Sequence, residues 1–245
     1  MTTAGRILIS IGVIAALLAG DQMDFLRPFL KETPLATIPY GVTTLINALG
    51  LALLAAVIVL VGGREARPLV RLAGLSAPIR QPLLFAAAIF IPATAIAMLI
   101  AKPAADISLY DQAFLSVIFP AMEEIGFRGL AIGALMGLAR WPFALAALLP
   151  AAIFGVAHLG QGDNPAEIAG IVAITGAGGL LFGWMFVRWG FNLWPAIVAH
   201  AGMNALWGVF DLGENAIGGW TGNALRLGVV AAAIGLTLLM APKKT

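Results

Sequence analysis

This 245-residue chain has no cysteine, so disulfides, thiolate metal sites and cysteine nucleophiles are all excluded. It is also poor in charge: 14 Lys and Arg with 12 Asp and Glu amount to 11% of the residues, for a net charge of +2. There is no basic stripe and no basic run interleaved with aromatics, which speaks against a nucleic-acid partner. Histidine occurs only twice. What fills the chain instead is apolar: 61% hydrophobic residues and a mean hydropathy of +0.98. Soluble domains hold roughly 45–50% apolar and about 25% charged residues. The composition therefore implies an integral membrane protein. Long continuous apolar runs, rather than alternating ones, make it all-α and not a β-barrel.

A crossing helix needs about 20 mostly apolar residues. About eight runs approach that length: 5–21, 38–61, 82–101, 112–139, 142–159, 167–187, 192–210 and 219–241. The expectation is one integral membrane domain over residues 1–245, a polytopic bundle of about eight transmembrane helices with a polar cavity inside it. Arg6 ahead of the first run would suit a signal peptide. The Leu17-Leu18-Ala19-Gly20 stretch lacks a small-x-small cleavage pattern, so this run is read as a span.

Basic residues orient the bundle. With the N-terminus inside, the inner segments hold Arg6, Arg64, Arg67, Arg71, Arg80, Arg140, Arg188, Lys243 and Lys244, against Arg27, Lys31 and Lys102 outside. Nine against three predicts both termini in the cytoplasm; the compact chain suggests a prokaryotic plasma membrane. Trp141, Trp189, Trp194 and Trp220 fall near predicted span ends, where interfacial aromatics gather. Gly129, Gly133 and Gly137, and again Gly179 and Gly183, repeat every four residues and predict close packing seams.

Ionisable groups at membrane depth are costly and face a partner or a water-filled space. Glu124 and Arg128 are spaced to pair on one helix face. Glu123 lies about 100° around the helix and has no basic residue within a turn. It must take up a proton, reach water or meet a partner from another helix. Both histidines fall in apolar runs: His158 ends FGVAH, and His200 opens HAGMN with Asn204 one turn further on. Glu123 and His158 are expected in the outer half of the bilayer, His200 and Asn204 nearer its middle. A convergent cluster drawn from three spans is geometrically possible.

The ordered set EExxxR (Glu123, Glu124, Arg128), FxxxH (Phe154, His158) and HxxxN (His200, Asn204) resembles the three motifs of the CPBP intramembrane proteases, which include the type II CAAX prenyl endopeptidases and bacterial Abi proteins. The resemblance covers about residues 112–210. It implies peptide-bond hydrolysis in an intramembrane chamber. Glu123 would be the general base with His158 as its partner on a water, His200 and Asn204 would hold the oxyanion, and Glu124, Arg128 and Phe154 would support the site. A peptide or protein substrate, membrane-anchored or lipidated, and the bilayer itself would be the partners.

Glu123, His158 and His200 would also make a workable zinc set with one position open for water. HExxH is absent, however, and Asn204 suits an oxyanion better than zinc. A metal-independent glutamate mechanism is the preferred expectation. Two other readings compete. GQGD (160–163) with Tyr110-Asp111 matches the motif pair of presenilin-type aspartyl proteases, although both aspartates fall at span edges. A transporter or immunity-type scaffold would use the Glu and His residues to bind an ion or proton.

Overall fold

The computed structural model describes residues 1–106, 108–213 and 217–242. Lys243 and Lys244, counted above for orientation, lie outside them. The described residues build eight long helical stretches: α1 (Thr3–Asp21), α2 (Gly41–Gly62), α3 (Arg80–Ile100), α4 (109–137), α5 (Phe143–Val156), α6 (Pro165–Arg188), α7 (Trp194–Val209) and α8 (Trp220–Met240). Extended pairing among them is limited to one bridge between Pro103 and Phe210. The helices track the apolar runs to within three residues at each end. Where they begin, local chemistry agrees: the Thr2 hydroxyl accepts from Gly5 N at 3.2 Å, and the Asn164 side chain accepts from Glu167 N at 3.1 Å ahead of Pro165.

Six stretches meet both length and apolarity for a crossing: Thr3–Leu30, Gly41–Ala66, Arg80–Ile100, Phe143–Gln161, Pro165–Arg188 and Trp220–Met240. That is fewer than the expected eight, and the two left out have physical reasons. At 16 residues, α7 is roughly 24 Å long, short of a hydrocarbon core of about 30 Å. Helix α4 carries Glu123, Glu124 and Arg128 and is interrupted by two wider, π-helical turns, Ala113–Ile118 and Glu124–Ile132. These two helices hold most of the motif residues.

Contacts between connections show how the helix ends are arranged. At one end Asn192 Nδ2 donates to Pro78 O at 3.0 Å, Trp194 Nε1 to Leu75 O at 3.3 Å, and Arg188 Nη1 to Pro242 O at 2.8 Å. At the other end Asp211 N donates to Lys102 O at 2.8 Å and Ala104 N to Val209 O at 2.9 Å. There, too, the Tyr40 hydroxyl donates to Asp111 Oδ1 at 2.7 Å, which holds the phenol above its ordinary pKa. Successive helices therefore run in opposite directions.

The tryptophans at span ends include interior struts. Trp141 Nε1 donates to Ser10 Oγ at 2.9 Å and Trp189 Nε1 to Thr237 Oγ1 at 3.2 Å, with Trp189 buried; Trp220 alone of the four is fully turned outward.

The glycine seams are real but differ in what they seat. A Cβ on Gly183 would stand 2.9 Å from Ile132 Cδ1, so α6 lies close on α4. A Cβ on Gly129 or Gly133 would stand 2.9 Å from Ala73 O or 2.6 Å from Leu72 O. On α4 the stripe thus receives the backbone of the 69–73 connection rather than another spanning helix.

Candidate active site

Glu123 lies midway along α4, which begins at residue 109. The adjacent carboxylates part company there, as 100° of helical rotation requires. Glu124 is wholly buried, whereas the Glu123 side chain keeps 31% of its exposure.

Glu124 Oε1 accepts from Arg128 Nη1 at 3.0 Å, the pair expected from their spacing, and from His200 Nδ1 at 2.8 Å. Arg128 is itself buried, with its guanidinium 4.4 Å from the centre of the Phe154 ring and 5.7 Å from that of Phe182. Such stacking suits a weakly hydrated planar cation. Gly179 makes room for it: a Cβ there would stand 3.1 Å from Arg128 Nη2. The Phe182 ring also stacks on His200, 5.1 Å between centres and 24° from parallel. Neither Gly179 nor Phe182 was singled out from the sequence as a site residue; only the Gly179/Gly183 repeat hinted that this face of α6 is close to something.

Because a carboxylate only accepts, the His200 proton sits on Nδ1. The opposite nitrogen, Nε2, lies 3.8 Å from Glu123 Oε2. Glu123 thus meets a partner from another helix and also reaches open space, two of the three possibilities its spacing allowed. The space is a cavity of about 450 Å³ lined by Glu123, Phe127, Phe154 and His158, and by α1, α2 and the residues after α1. The far wall carries Asp21, Asp24, Arg27 and Asn47, so the cavity extends to the end of the bundle where α1 and α5 finish.

His158 lies just past the last turn of α5, and its Nδ1 donates to Phe154 O at 2.7 Å. A carbonyl cannot donate, so the ring's Nε2 is left with a lone pair that can accept from water. Phe154 serves twice, through its carbonyl to His158 and through its ring to Arg128.

Asn204 on α7 donates from Nδ2 to Leu115 O at 3.1 Å. The wide turn of α4 explains why that carbonyl is free. Phe119 N bonds Phe114 O, so the next residue in that register is Pro120, which has no N–H to give Leu115. Asn204 supplies the missing donor, its amide plane is fixed, and one N–H remains uncommitted.

The structure therefore brings Glu123, Glu124, Arg128, Phe154 and His200 into one connected group and puts His158 on the same cavity as Glu123. Asn204 is tied to the first part of α4. Among the described residues no three His, Asp or Glu side chains are grouped to hold a metal ion, and the set Glu123, His158 and His200 does not do so. Asp111 is engaged by Tyr40, while Asp163 N donates to Glu167 Oε2 at 2.7 Å beside α6. Asp111 thus sits in the first turn of α4 and Asp163 in the connection ahead of α6, so both aspartates of the aspartyl-protease reading lie at helix ends.

Residues 105–206 match the family described as Type II CAAX prenyl endopeptidase Rce1-like. This segment contains α4 to most of α7 and every motif residue named above, while α1, α2, α3 and α8 lie outside it. No curated protein and no solved structure matches the chain.

Proposed function

We propose that the Rce1-like segment makes this protein an intramembrane endopeptidase in which Glu123 activates water. The observation that carries this reading is the position of Glu123: partly exposed on a cavity it shares with His158, with His200 Nε2 3.8 Å away.

Water in the cavity donates one hydrogen bond to His158 Nε2 and its proton to the Glu123 carboxylate as its oxygen attacks the scissile carbonyl carbon. The tetrahedral oxyanion is held by the free N–H of Asn204 and by Nε2–H of His200. Since Glu124 fixes the Nδ1 proton, this second donation requires His200 as the imidazolium. Glu123 then passes its proton to the leaving nitrogen, the C–N bond breaks, and a carboxylic acid and an amine result, the acid's proton then moving to the amine to give carboxylate and ammonium. Glu124 and Arg128 set the orientation of His200 without touching substrate. Preorganised donors of this kind are worth about 2.7–4 kcal/mol each.

The alternating helix directions support eight crossings, with the shorter α7 and the polar α4 sheltered inside the bundle. Among the described residues Arg6, Arg64, Arg67, Arg71, Arg80, Arg140 and Arg188 share one end, and Arg27, Lys31 and Lys102 the other. The arginine-rich end faces the cytoplasm of a prokaryotic cell by this reading, and the cavity wall reaches the opposite end. The substrate is therefore a membrane-anchored or lipidated peptide presented from the non-cytoplasmic side, rather than a prenylated cytosolic tail.

The test is cleavage of a peptide library by detergent-purified protein. Glu123→Ala and Glu123→Gln are expected to lower turnover roughly 10²–10⁴-fold while the protein stays folded and inserted. Retained cleavage in both variants overturns the mechanism. Ion or proton flux in proteoliposomes that survives Glu123→Gln, with no cleavage by the wild type, assigns transport instead.

A further inference from the structure

A second hollow lies at the arginine-rich end, remote from the Glu123 cavity. Its volume is about 270 Å³, and its lining includes Arg67, Arg71, Leu72, Gly133, Gly137 and Phe191. Its floor is glycine. A Cβ on Gly137 would meet only Leu72 Cδ1 at 3.5 Å, so the space exists because α4 presents no side chains there. Arg67 and Arg71 are both exposed, and neither side chain has a carboxylate partner among the described residues. The acid on the lining, Glu65, is turned to the Met1 ammonium at 2.7 and 2.9 Å. The hollow is therefore cationic.

Its depth is set by its neighbours. It is lined by residues that follow α2, by the last turn of α4 and by Phe191 in the connection that precedes α7, so it sits where the apolar helices end, the level at which a spanning bundle would meet headgroups. Orienting the bundle requires only charge in this connection. It does not require two guanidiniums around a concave, glycine-floored space with an exposed phenyl ring at its edge.

We propose that this hollow binds the headgroup phosphate of an anionic phospholipid. Two guanidiniums can grip phosphate oxygens bidentately, and basic hollows between helices at a membrane surface suit acidic headgroups. At about 270 Å³ the space is below the usual range of roughly 300–1,000 Å³ for whole small-molecule ligands. A headgroup fits inside while the acyl chains leave past Phe191 and Leu72 into the bilayer. Occupancy would brace the 69–73 connection, whose carbonyls rest on Gly129 and Gly133.

The experiment uses the full chain purified in mild detergent and equilibrated with phosphatidylglycerol, phosphatidylcholine or inorganic phosphate, with bound lipid read by native mass spectrometry and unfolding temperature in parallel. The wild type is expected to retain phosphatidylglycerol over phosphatidylcholine and to unfold at a higher temperature with it. In Arg67→Gln/Arg71→Gln that preference should fall on the order of tenfold or more; in Arg64→Gln/Arg80→Gln, outside the hollow, it should persist. The single variants Arg67→Gln and Arg71→Gln should each show part of the loss if the double variant fails to fold. Equal retention of the two lipids by the wild type, or undiminished preference in the Arg67 and Arg71 variants, overturns the proposal. So does inorganic phosphate alone giving the full stabilisation and displacing the lipid, which would make this a free-anion site.

Discussion

His200 Nδ1 stands 2.8 Å from Glu124 Oε1, so the carboxylate that orients this histidine is the buried one, while its neighbour Glu123 is left facing the cavity. The division of labour follows from burial. A carboxylate sealed between Arg128 and His200 has no access to water, whereas one that keeps about a third of its exposure does.

Glu124→Gln should leave Arg128 buried without its counter-charge. Breaking a buried pair by removing one partner costs about 3–5 kcal/mol, and unfolding of the variant in mixed micelles should register a loss of that order. Turnover should fall as well, because His200 loses its fixed Nδ1 proton. Adding Arg128→Met to this variant should recover part of the stability and none of the rate. If the two single losses simply add, the residues are not coupled as described.

Asn204 has two duties that one substitution cannot separate. Asn204→Ala should lower stability by about 1–3 kcal/mol by orphaning Leu115 O and reduce turnover roughly 10²–10³-fold through the lost oxyanion donor. Pro120→Ala restores an N–H next to that carbonyl. The double variant Asn204→Ala/Pro120→Ala is expected to regain stability while its kcat stays low. Recovery of kcat along with stability would reduce Asn204 to a structural brace.

Gly179→Ala would put a methyl group 3.1 Å from Arg128 Nη2 and 3.0 Å from Ala151 Cβ. Overpacking of this kind costs about 1–3 kcal/mol. Because the displaced group is Arg128, activity should drop more steeply than in Gly178→Ala, where a Cβ would meet nothing within 4 Å. Comparing melting temperature and turnover for the pair checks this directly.

Chelation addresses the donor set. With Glu123, His158 and His200 not grouped to hold one ion, extended dialysis against a chelator should leave cleavage unchanged, and added zinc should not raise it. Activity lost on chelation and restored by zinc would show that the three donors close around a metal.

Much of the fold was legible in the residues alone because hydropathy is a local property. Every apolar run became a helix, with ends displaced by no more than three residues, and the Glu124–Arg128 pair followed from 3.6 residues per turn. The candidate residues were legible for a related reason: a polar residue in a lipid-compatible run stands out against everything around it. How those residues meet was not. Whether His200 turns to Glu123 or Glu124 depends on how α4 and α7 are rotated about their own axes. Local spacing carries no information about such rotations, which come from the seating of Gly129, Gly133, Gly179 and Gly183 against their neighbours. The bond from Asn204 to Leu115 depends on a π turn ahead of Pro120, and the far wall of the cavity comes from α1 and α2, more than sixty residues away in the chain. One-dimensional order selects which groups are costly to bury, and only three-dimensional packing assigns each its partner.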